Sequence, residues 1–282
     1  MKLHPIKDNG LIIASASGNV FAFVWAADHF GDGWQVACVN GSEWARYICP
    51  RGRGLGLDGL FVMDAPIRGK RWNIRHWDSD GTPTFCSNGT RAAVALLPEE
   101  FQGLVEVCSN DEIVLLDRKG PEVALRLPQG ADFCLMEPPD GLPFPAVCGW
   151  TGTPQLVLEV GDTDNIDIST LSPPLRSHPQ LSEGANVSFL QVQSHGHARV
   201  RTWERGVEGE TLSCGQGAAV AAAWLAERSG IKKWRIQPRG DDPLFLDIGQ
   251  IENRRWSELW LQGLIRVIGK FTPDSSIGLL DV

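Results

Sequence analysis

Two cysteines in this chain stand at the mouths of alanine-rich segments, where a thiol is readily made reactive. Cys214 closes the run Glu204-Arg205-Gly206-Val207-Glu208-Gly209-Glu210-Thr211-Leu212-Ser213 and is followed by Gly215, Gln216, Gly217 and the segment Ala218 to Glu227. Cys86 lies in Phe85-Cys86-Ser87-Asn88-Gly89-Thr90-Arg91 and precedes Ala92-Ala93-Val94-Ala95-Leu96-Leu97. A helix N-terminus carries partial positive charge and unpaired N–H groups, so a cysteine there has its thiolate stabilised. The same N–H groups hold a carboxylate, and the small residues after each cysteine let an anion approach. One carboxylate held between two such helix ends would have a thiol on each side of its α-carbon. A thiolate then removes the α-proton from one face while the other thiol returns a proton to the opposite face, inverting the centre. The helix ends would also stabilise the charge that builds on the carboxylate as the carbanion forms.

The elements that must position these thiols are mostly strands. Leu11 to Ala16 and Val20 to Trp25 are apolar runs separated by the turn Ser17-Gly18-Asn19. Gln35 to Asn40 reads as a further strand, and Arg71 to Trp77 as another, with Asp78-Ser79-Asp80-Gly81 turning the chain toward Cys86. Strands follow at Leu104–Cys108, Glu112–Leu116 and Val123–Leu127, then a loose proline-rich stretch from Gly130 to Val147. Further strands are expected at Gln155–Val160, Val187–Val192, Ala198–Trp203, Trp234–Gln237, Leu244–Ile248 and Ser257–Leu261. Asp162 to Ser182, with Pro173-Pro174, reads as a loop holding a short helix. Gly54-Leu55-Gly56-Leu57-Asp58-Gly59 matches a dinucleotide-binding glycine pattern, but a buried-strand run, Leu60–Met63, follows where that motif needs a helix. The glycines read instead as a tight loop entering a strand.

Each half thus runs through several strands, a cysteine at the start of an apolar helix, and more strands. An α+β chain of two domains facing one another across a cleft would bring both helix starts to that cleft. The 282 residues fit one large or two modest domains, and 43% apolar residues are ample for a buried core. A formal charge of −8 and the lack of any basic run argue against a nucleic-acid partner, and no apolar stretch approaches a membrane span. Leu11 to Ala16 is too short for a secretory signal. Seven cysteines in irregular spacing, without a Cys-x-x-Cys pair, point to reduced thiols in the cytoplasm. No metal site is expected, since the histidines do not cluster with cysteines, and His195 and His197 read as a surface pair. Cys38, Cys49, Cys108, Cys134 and Cys148 read as buried small apolar residues.

At its cysteines the chain resembles the diaminopimelate epimerase family, over most of its length. That family carries Cys-Gly-Asn-Gly-x-Arg at one active-site cysteine, and Cys86-Ser87-Asn88-Gly89-Thr90-Arg91 differs only in the first glycine. Its second signature, Glu-Arg-Gly-x-Gly-Glu-Thr-x-x-Cys-Gly-x-Gly-Ala, is followed by Glu204 to Ala218 with one inserted residue. Weaker matches lie at Gly18-Asn19-Val20-Phe21, Gly56-Leu57-Asp58, Asp80-Gly81 and Ala185-Asn186. The resemblance implies two pseudo-symmetric domains, each a strand-rich barrel-like sheet around a central helix, with the active site in the interdomain cleft. On that plan residues 1–118 form one domain, completed by 264–282, and 119–263 the other. It further implies two-base racemisation of a small-molecule amino acid without a cofactor, and it admits a homodimer. Carried across, Cys86 and Cys214 are the acid/base pair and Glu204 is the carboxylate beside Cys214. Arg205 and Asn186 hold the distal end of the substrate. Asn19, Ser87, Asn88, Gly89, Gly215 and Gln216 complete the binding set.

The chain departs from the family where substrate is recognised. The family's Gly-Asn-Pro-His appears as Gly152-Thr153-Pro154-Gln155, so Thr153 replaces a substrate asparagine and Gln155 replaces the histidine that partners the first cysteine. Glutamine accepts no proton, which leaves Cys86 to its helix terminus or to another group. The family's Asn-Ala-Asp-Gly is Asp78-Ser79-Asp80-Gly81, which puts the carboxylate of Asp78 into the distal pocket, and Gly59 stands where a glutamine is usual. These changes favour a different amino acid, with a cationic side chain to meet Asp78, over diaminopimelate itself. A relative that binds a small carboxylate without turning it over, or that isomerises another acid, is the competing reading.

Overall fold

The computed structural model describes residues 10–26, 34–64, 71–127, 133–136, 142–179, 181 and 183–271. It divides into two compact units, Met1–Val123 with Ile265–Val282, and Ala124–Leu264. The first runs β1 (Leu11–Ala16), β2 (Asn19–Trp25), α1 (Trp34–Ile48), β3 (Gly59–Asp64), β4 (Trp72–Asp78), α2 (Ser87–Ala95), β5 (Gly103–Ser109) and β6 (Glu112–Lys119). β1 and β2 pair antiparallel, and α1 intervenes before β3 pairs parallel to β2. β4 lies antiparallel to β3, α2 intervenes, and β5 pairs parallel to β4 before β6 turns back on β5. Parallel neighbours need a crossover, and the two helices supply it. The last strand among the described residues, Ile265–Phe271, returns to pair with β1.

The second unit repeats this order. It contains β7 (Glu122–Arg126, from Ala124 on), β8 (Phe133–Met136), β9 (Ala146–Trp150), β10 (Pro154–Glu159), α3 (Ile168–Arg176), β11 (Asn186–Ser194), β12 (His197–Glu204), β13 (Gly209–Thr211), α4 (Gly215–Ser229), β14 (Lys233–Gln237), β15 (Leu244–Glu252) and β16 (Arg255–Gly263). β9 and β10 form the antiparallel pair, α3 crosses to β11 parallel to β10, and β12 runs back antiparallel. α4 then crosses to β14, parallel to β12, and β15 turns back on β14.

Each unit encloses its second helix. α2 packs on β1, β2, β3 and β6 and on the last strand, while α4 packs on β9, β10, β11, β14, β15 and β16. Ser87 to Val94 and Gly215 to Ala226 are buried around the whole helix circumference. A helix so enclosed cannot present a polar face to water, so α4 is mostly alanine along Ala218–Ala226, and in α2 buried Asn88, Thr90 and Arg91 take hydrogen-bond partners inside the unit. The close fit is specific: a Cβ on Gly89 would sit 2.2 Å from the Phe61 ring, and one on Gly217 would sit 2.6 Å from Ser188 Oγ.

Three expectations need correction. Gln35–Asn40 is not a strand but part of α1. Its short β-branched run suggested a strand, whereas Gly41, Trp44, Ala45 and Ile48 are buried at helical spacing and continue the element. Gly41 lacks the Cβ that would meet the Trp77 ring at 2.3 Å. The stretch 130–147 is less loose than expected, since β8 lies within it and β9 begins in it. Cys134 is exposed, not buried, and Cys108 and Cys148 are half-buried, while Cys49 is buried as expected; the side chain of Cys38 lies outside the described residues. β3 follows the Gly54–Gly59 loop as a fully buried strand from Leu60 to Met63.

Candidate active site

Cys86 is the N-cap of α2, with extended backbone at φ −123, ψ 111, and Cys214 is the N-cap of α4 at φ −125, ψ 105. In each case the cysteine carbonyl accepts the first helical bond, from Thr90 N at 2.9 Å and from Ala218 N at 3.0 Å. The Cys214 sulfur also accepts from Gly217 N at 3.5 Å, as a capping side chain does. The sequence folds this way because each extended cysteine is followed by small residues, Ser87-Asn88-Gly89 or Gly215-Gln216-Gly217, that lead into the helix-forming runs Ala92–Ala95 and Ala218–Ala223.

Around Cys86 the first unit builds a polar chain on an apolar bed. Asn88, in the first turn of α2, donates to Asn19 Oδ1 at 2.9 Å, and Asn19 donates toward Asp58 Oδ2 at 3.5 Å. Asp58 also accepts from Val20 N at 2.7 Å, which anchors the β1–β2 turn. Burial, the largest influence, raises the Asp58 pKa above its usual value, and these hydrogen bonds oppose it. From the other side Arg91 donates to Asn88 Oδ1 at 2.9 Å and to Ser17 Oγ at 3.0 Å. Those donations determine which way both asparagine amides point. Arg91 is fully buried; desolvation pulls it down to about 10, and the charge of a Cys86 thiolate acts on it in the opposite direction. A fixed cation is thus within electrostatic reach of the thiol. The motif contained Arg91, but reading it as a signature assigned it no task. A lone charge in an alanine helix was the available signal.

Asp78 ends β4, partly exposed, with its Oδ1 3.7 Å from His76 Nε2. Desolvation pushes Asp78 up to about 6; Thr84 hydrogen bonding opposes the rise, and Asp80 and Asp58 add to it. His76 is buried, stacks on Phe61 with ring centroids 4.3 Å apart, and donates from Nδ1 to the Thr84 carbonyl at 3.0 Å. Burial pushes it down to about 4, so the imidazole is neutral. Its ring occupies the room a side chain at residue 59 would need, since a Cβ on Gly59 would lie 2.4 Å from Nε2. Gly59 and His76 are therefore one exchange of volume.

In the second unit Asn186 accepts from Arg205 N at 2.8 Å and points its amide at Cys214 Sγ, 4.0 Å away. Arg205 donates to the Glu183 carbonyl at 2.6 Å, and the neighbouring Glu208 pairs with Arg176. Glu208 has positive φ, 50°, so the extra residue in this signature is taken up in a tight turn. Glu204 accepts from Thr211 Oγ1 at 2.5 Å. Glu210 is gripped by Arg201, at 2.6 and 2.9 Å, and by Arg239 at 2.5 Å, which locks β12, β13 and the approach to Cys214 together. Gln155 lies beside Asn186 in register across β10 and β11. It donates to Thr153 Oγ1 at 2.7 Å, Thr153 donates to Gln216 Oε1 at 3.3 Å, and Gln216 donates to the Thr151 carbonyl at 2.8 Å. Thr153, Gln155, Gln216 and Gly217 thus share one corner at the start of α4, and Gly215 opens that helix. Ser87 is the first residue of α2 and is buried. Among the described residues, no three His, Cys, Asp or Glu side chains group as a metal site, and no helix is long and apolar enough to cross a membrane.

The fold is shared with solved structures of low sequence similarity. A phenazine biosynthesis protein of the PhzF family from Bacillus anthracis superposes with a TM-score of 0.67 at 15% identity, covering 93% of this chain and 97% of that one. A hydroxyproline epimerase from Agrobacterium vitis superposes with a TM-score of 0.64 at 13% identity, covering 92% and 89%. Among curated proteins, the diaminopimelate epimerase of Aquifex aeolicus is 32% identical over 227 residues, 75% of this chain and 80% of the relative. The chloroplastic diaminopimelate epimerase of Oryza sativa subsp. japonica is 29% identical over 281 residues, 89% and 75%. These define the protein as an isomerase of the epimerase and racemase class on an α+β fold. A family model described as diaminopimelate epimerase matches residues 147–242. The chain belongs to the diaminopimelate epimerase family.

Proposed function

We propose that the protein racemises or epimerises an amino acid without a cofactor, Cys86 and Cys214 serving as the two acid/base groups. The observation that carries this reading is the matched setting of the thiols: both are N-caps of buried helices, with backbone angles within a few degrees of one another. One cysteine as thiolate takes the α-proton, the electron pair is left at the α-carbon, and the other cysteine delivers its thiol proton from the opposite face. The N–H groups of Ser87, Asn88, Gly89, Gly215 and Gln216 belong to the two first turns, where the substrate carboxylate and the charge developing on it are favoured. Glu204 serves as the carboxylate partner of Cys214. With Gln155 in place of a histidine, the positive end of α2 and the buried guanidinium of Arg91 stabilise the Cys86 thiolate.

Asp78 selects the substrate: a carboxylate in the distal pocket favours a cationic side chain, with Asn19, Thr153, Asn186 and Arg205 completing recognition. The setting is a reducing compartment, the cytoplasm. The test incubates reduced protein in deuterated water with diaminopimelate, lysine, arginine, histidine and neutral L-amino acids, and follows α-deuterium by mass. Exchange with a cationic amino acid, lost in Cys86→Ala and Cys214→Ala, is the expected result. Absence of exchange with every amino acid, while binding persists in both variants, would establish the non-catalytic carboxylate-binding reading instead.

A further inference from the structure

Three sulfur atoms gather in the second unit at a place the proposed chemistry does not use. Cys134 on β8 and Cys148 on β9 are directly opposed across an antiparallel pair. Opposed residues point to the same face of the sheet, with Cβ atoms about 4.5–5.5 Å apart. Met136, two residues beyond Cys134 and so on that same face, accepts a hydrogen bond at its sulfur from the Cys148 thiol at 3.1 Å. Cys134 is exposed and Cys148 half-buried. A disulfide asks for Cβ atoms about 3.5–4.5 Å apart, so closure needs a rotamer change and an approach on the order of 1 Å.

We propose that Cys134 and Cys148 form a reversible cross-strand disulfide that responds to oxidised low-molecular-weight thiols. The exposed Cys134, as thiolate, attacks a sulfur of a small disulfide such as oxidised glutathione, forming a mixed disulfide and expelling one glutathione thiolate. Cys148 then loses its proton and attacks the Cys134 sulfur, forming the protein disulfide and expelling the second glutathione. Two protein thiols are oxidised, one glutathione disulfide is reduced, and the two protons lost by the protein thiols are taken up by the two expelled glutathione thiolates. Burial, then the charge of Cys134, pushes Cys148 up to about 12, so its thiolate is scarce at neutral pH and the second step is the slow one. The bond would brace β9, whose Gly149 lies opposite Gln155 of β10, and so reaches the corner that holds Thr153 and Gln216.

The experiment uses the full chain. Protein incubated with oxidised glutathione is alkylated with light iodoacetamide, reduced, alkylated with the heavy reagent and digested with trypsin. Both cysteines fall in one tryptic peptide, Leu127–Arg176, which contains no internal lysine or arginine. The expected product carries heavy label at both positions, preceded by a species heavy at Cys134 and light at Cys148, the mark of the mixed disulfide, and thiol reductant added before the light reagent returns it to doubly light. Below pH 9 the closing step should quicken about tenfold for each pH unit, as the Cys148 thiolate fraction does. In Cys134→Ser, a surface change, Cys148 should stay light. A peptide that stops at heavy label on Cys134 with Cys148 light would overturn the proposal. Heavy label on Cys148 in Cys134→Ser would overturn it as well, because Cys148 would then have paired elsewhere.

Discussion

His76 and Asp78 should make opposite and partly cancelling contributions to stability between pH 6.5 and 4. The His76 pKa falls from 6.5 to about 4 in the folded chain, because burial disfavours the charged ring. Its contribution is therefore fully present above pH 6.5 and is lost as pH falls toward 4, by about 3 kcal/mol at roughly 1.4 kcal/mol per pH unit. The Asp78 pKa moves the other way, from 3.8 to about 6, mainly through desolvation. Its contribution is present below pH 3.8 and is lost as pH rises through 6. Full conversion of that shift would give about 3 kcal/mol, but 47% of the side chain is exposed and solvent screening reduces this to about 1–2 kcal/mol. With the carboxylate 3.7 Å from Nε2, acidification places a proton on Asp78 in the native state and on His76 in the unfolded state. Asp78→Asn removes one side of the balance. Urea unfolding followed by tryptophan fluorescence should find this variant about 1–2 kcal/mol more stable than wild type at pH 7.5 and equal to it near pH 4. His76→Phe, which keeps an aromatic ring on Phe61, should gain about 3 kcal/mol relative to wild type as pH falls from 6.5 to 4. A difference from wild type that stays constant with pH in both variants would refute the reasoning.

Arg91→Met keeps most of the buried volume but removes the cation near Cys86 and the donor that orients Asn88; α-deuterium exchange should slow at least tenfold, and thiolate absorbance at Cys86, read in a Cys214→Ala background, should appear only at higher pH. Gly89→Ala places a Cβ 2.2 Å from the Phe61 ring and should cost about 1–3 kcal/mol in urea unfolding. Gly217→Ala forces its Cβ to 2.6 Å from Ser188 Oγ and 3.3 Å from Gln155 Oε1; displacement of the α4 terminus should lower kcat/KM at least tenfold, whereas Gly161→Ala, open on every side, should leave it unchanged.

Much of the architecture was legible because burial leaves a periodic mark on short segments. Apolar runs located most strands between Leu11–Ala16 and Ser257–Leu261, though not Phe133–Met136, Ala146–Trp150 or Gly209–Thr211, and two transitions into alanine located α2 and α4 with the thiols at their mouths. The pattern failed at α1, where a six-residue window shows β-branched residues but not the buried spacing of Gly41, Trp44 and Ile48. It also missed Ile265–Phe271, whose largely exposed residues carry no core face to detect.

At the site, the sequence by itself placed Cys86 and Cys214 at the starts of helix-forming runs, because that transition is local and needs no distant residue. It also marked the departures at Asp78, Thr153 and Gln155. Only the tertiary structure decided what those residues meet. Asn88, Asn19, Asp58 and Arg91 become one hydrogen-bonded chain, and Gly59 yields its volume to a neutral His76, because strands distant in sequence become neighbours. A buried charge, a displaced ring and a directed amide depend on atoms brought together by folding, and local sequence holds no trace of that proximity.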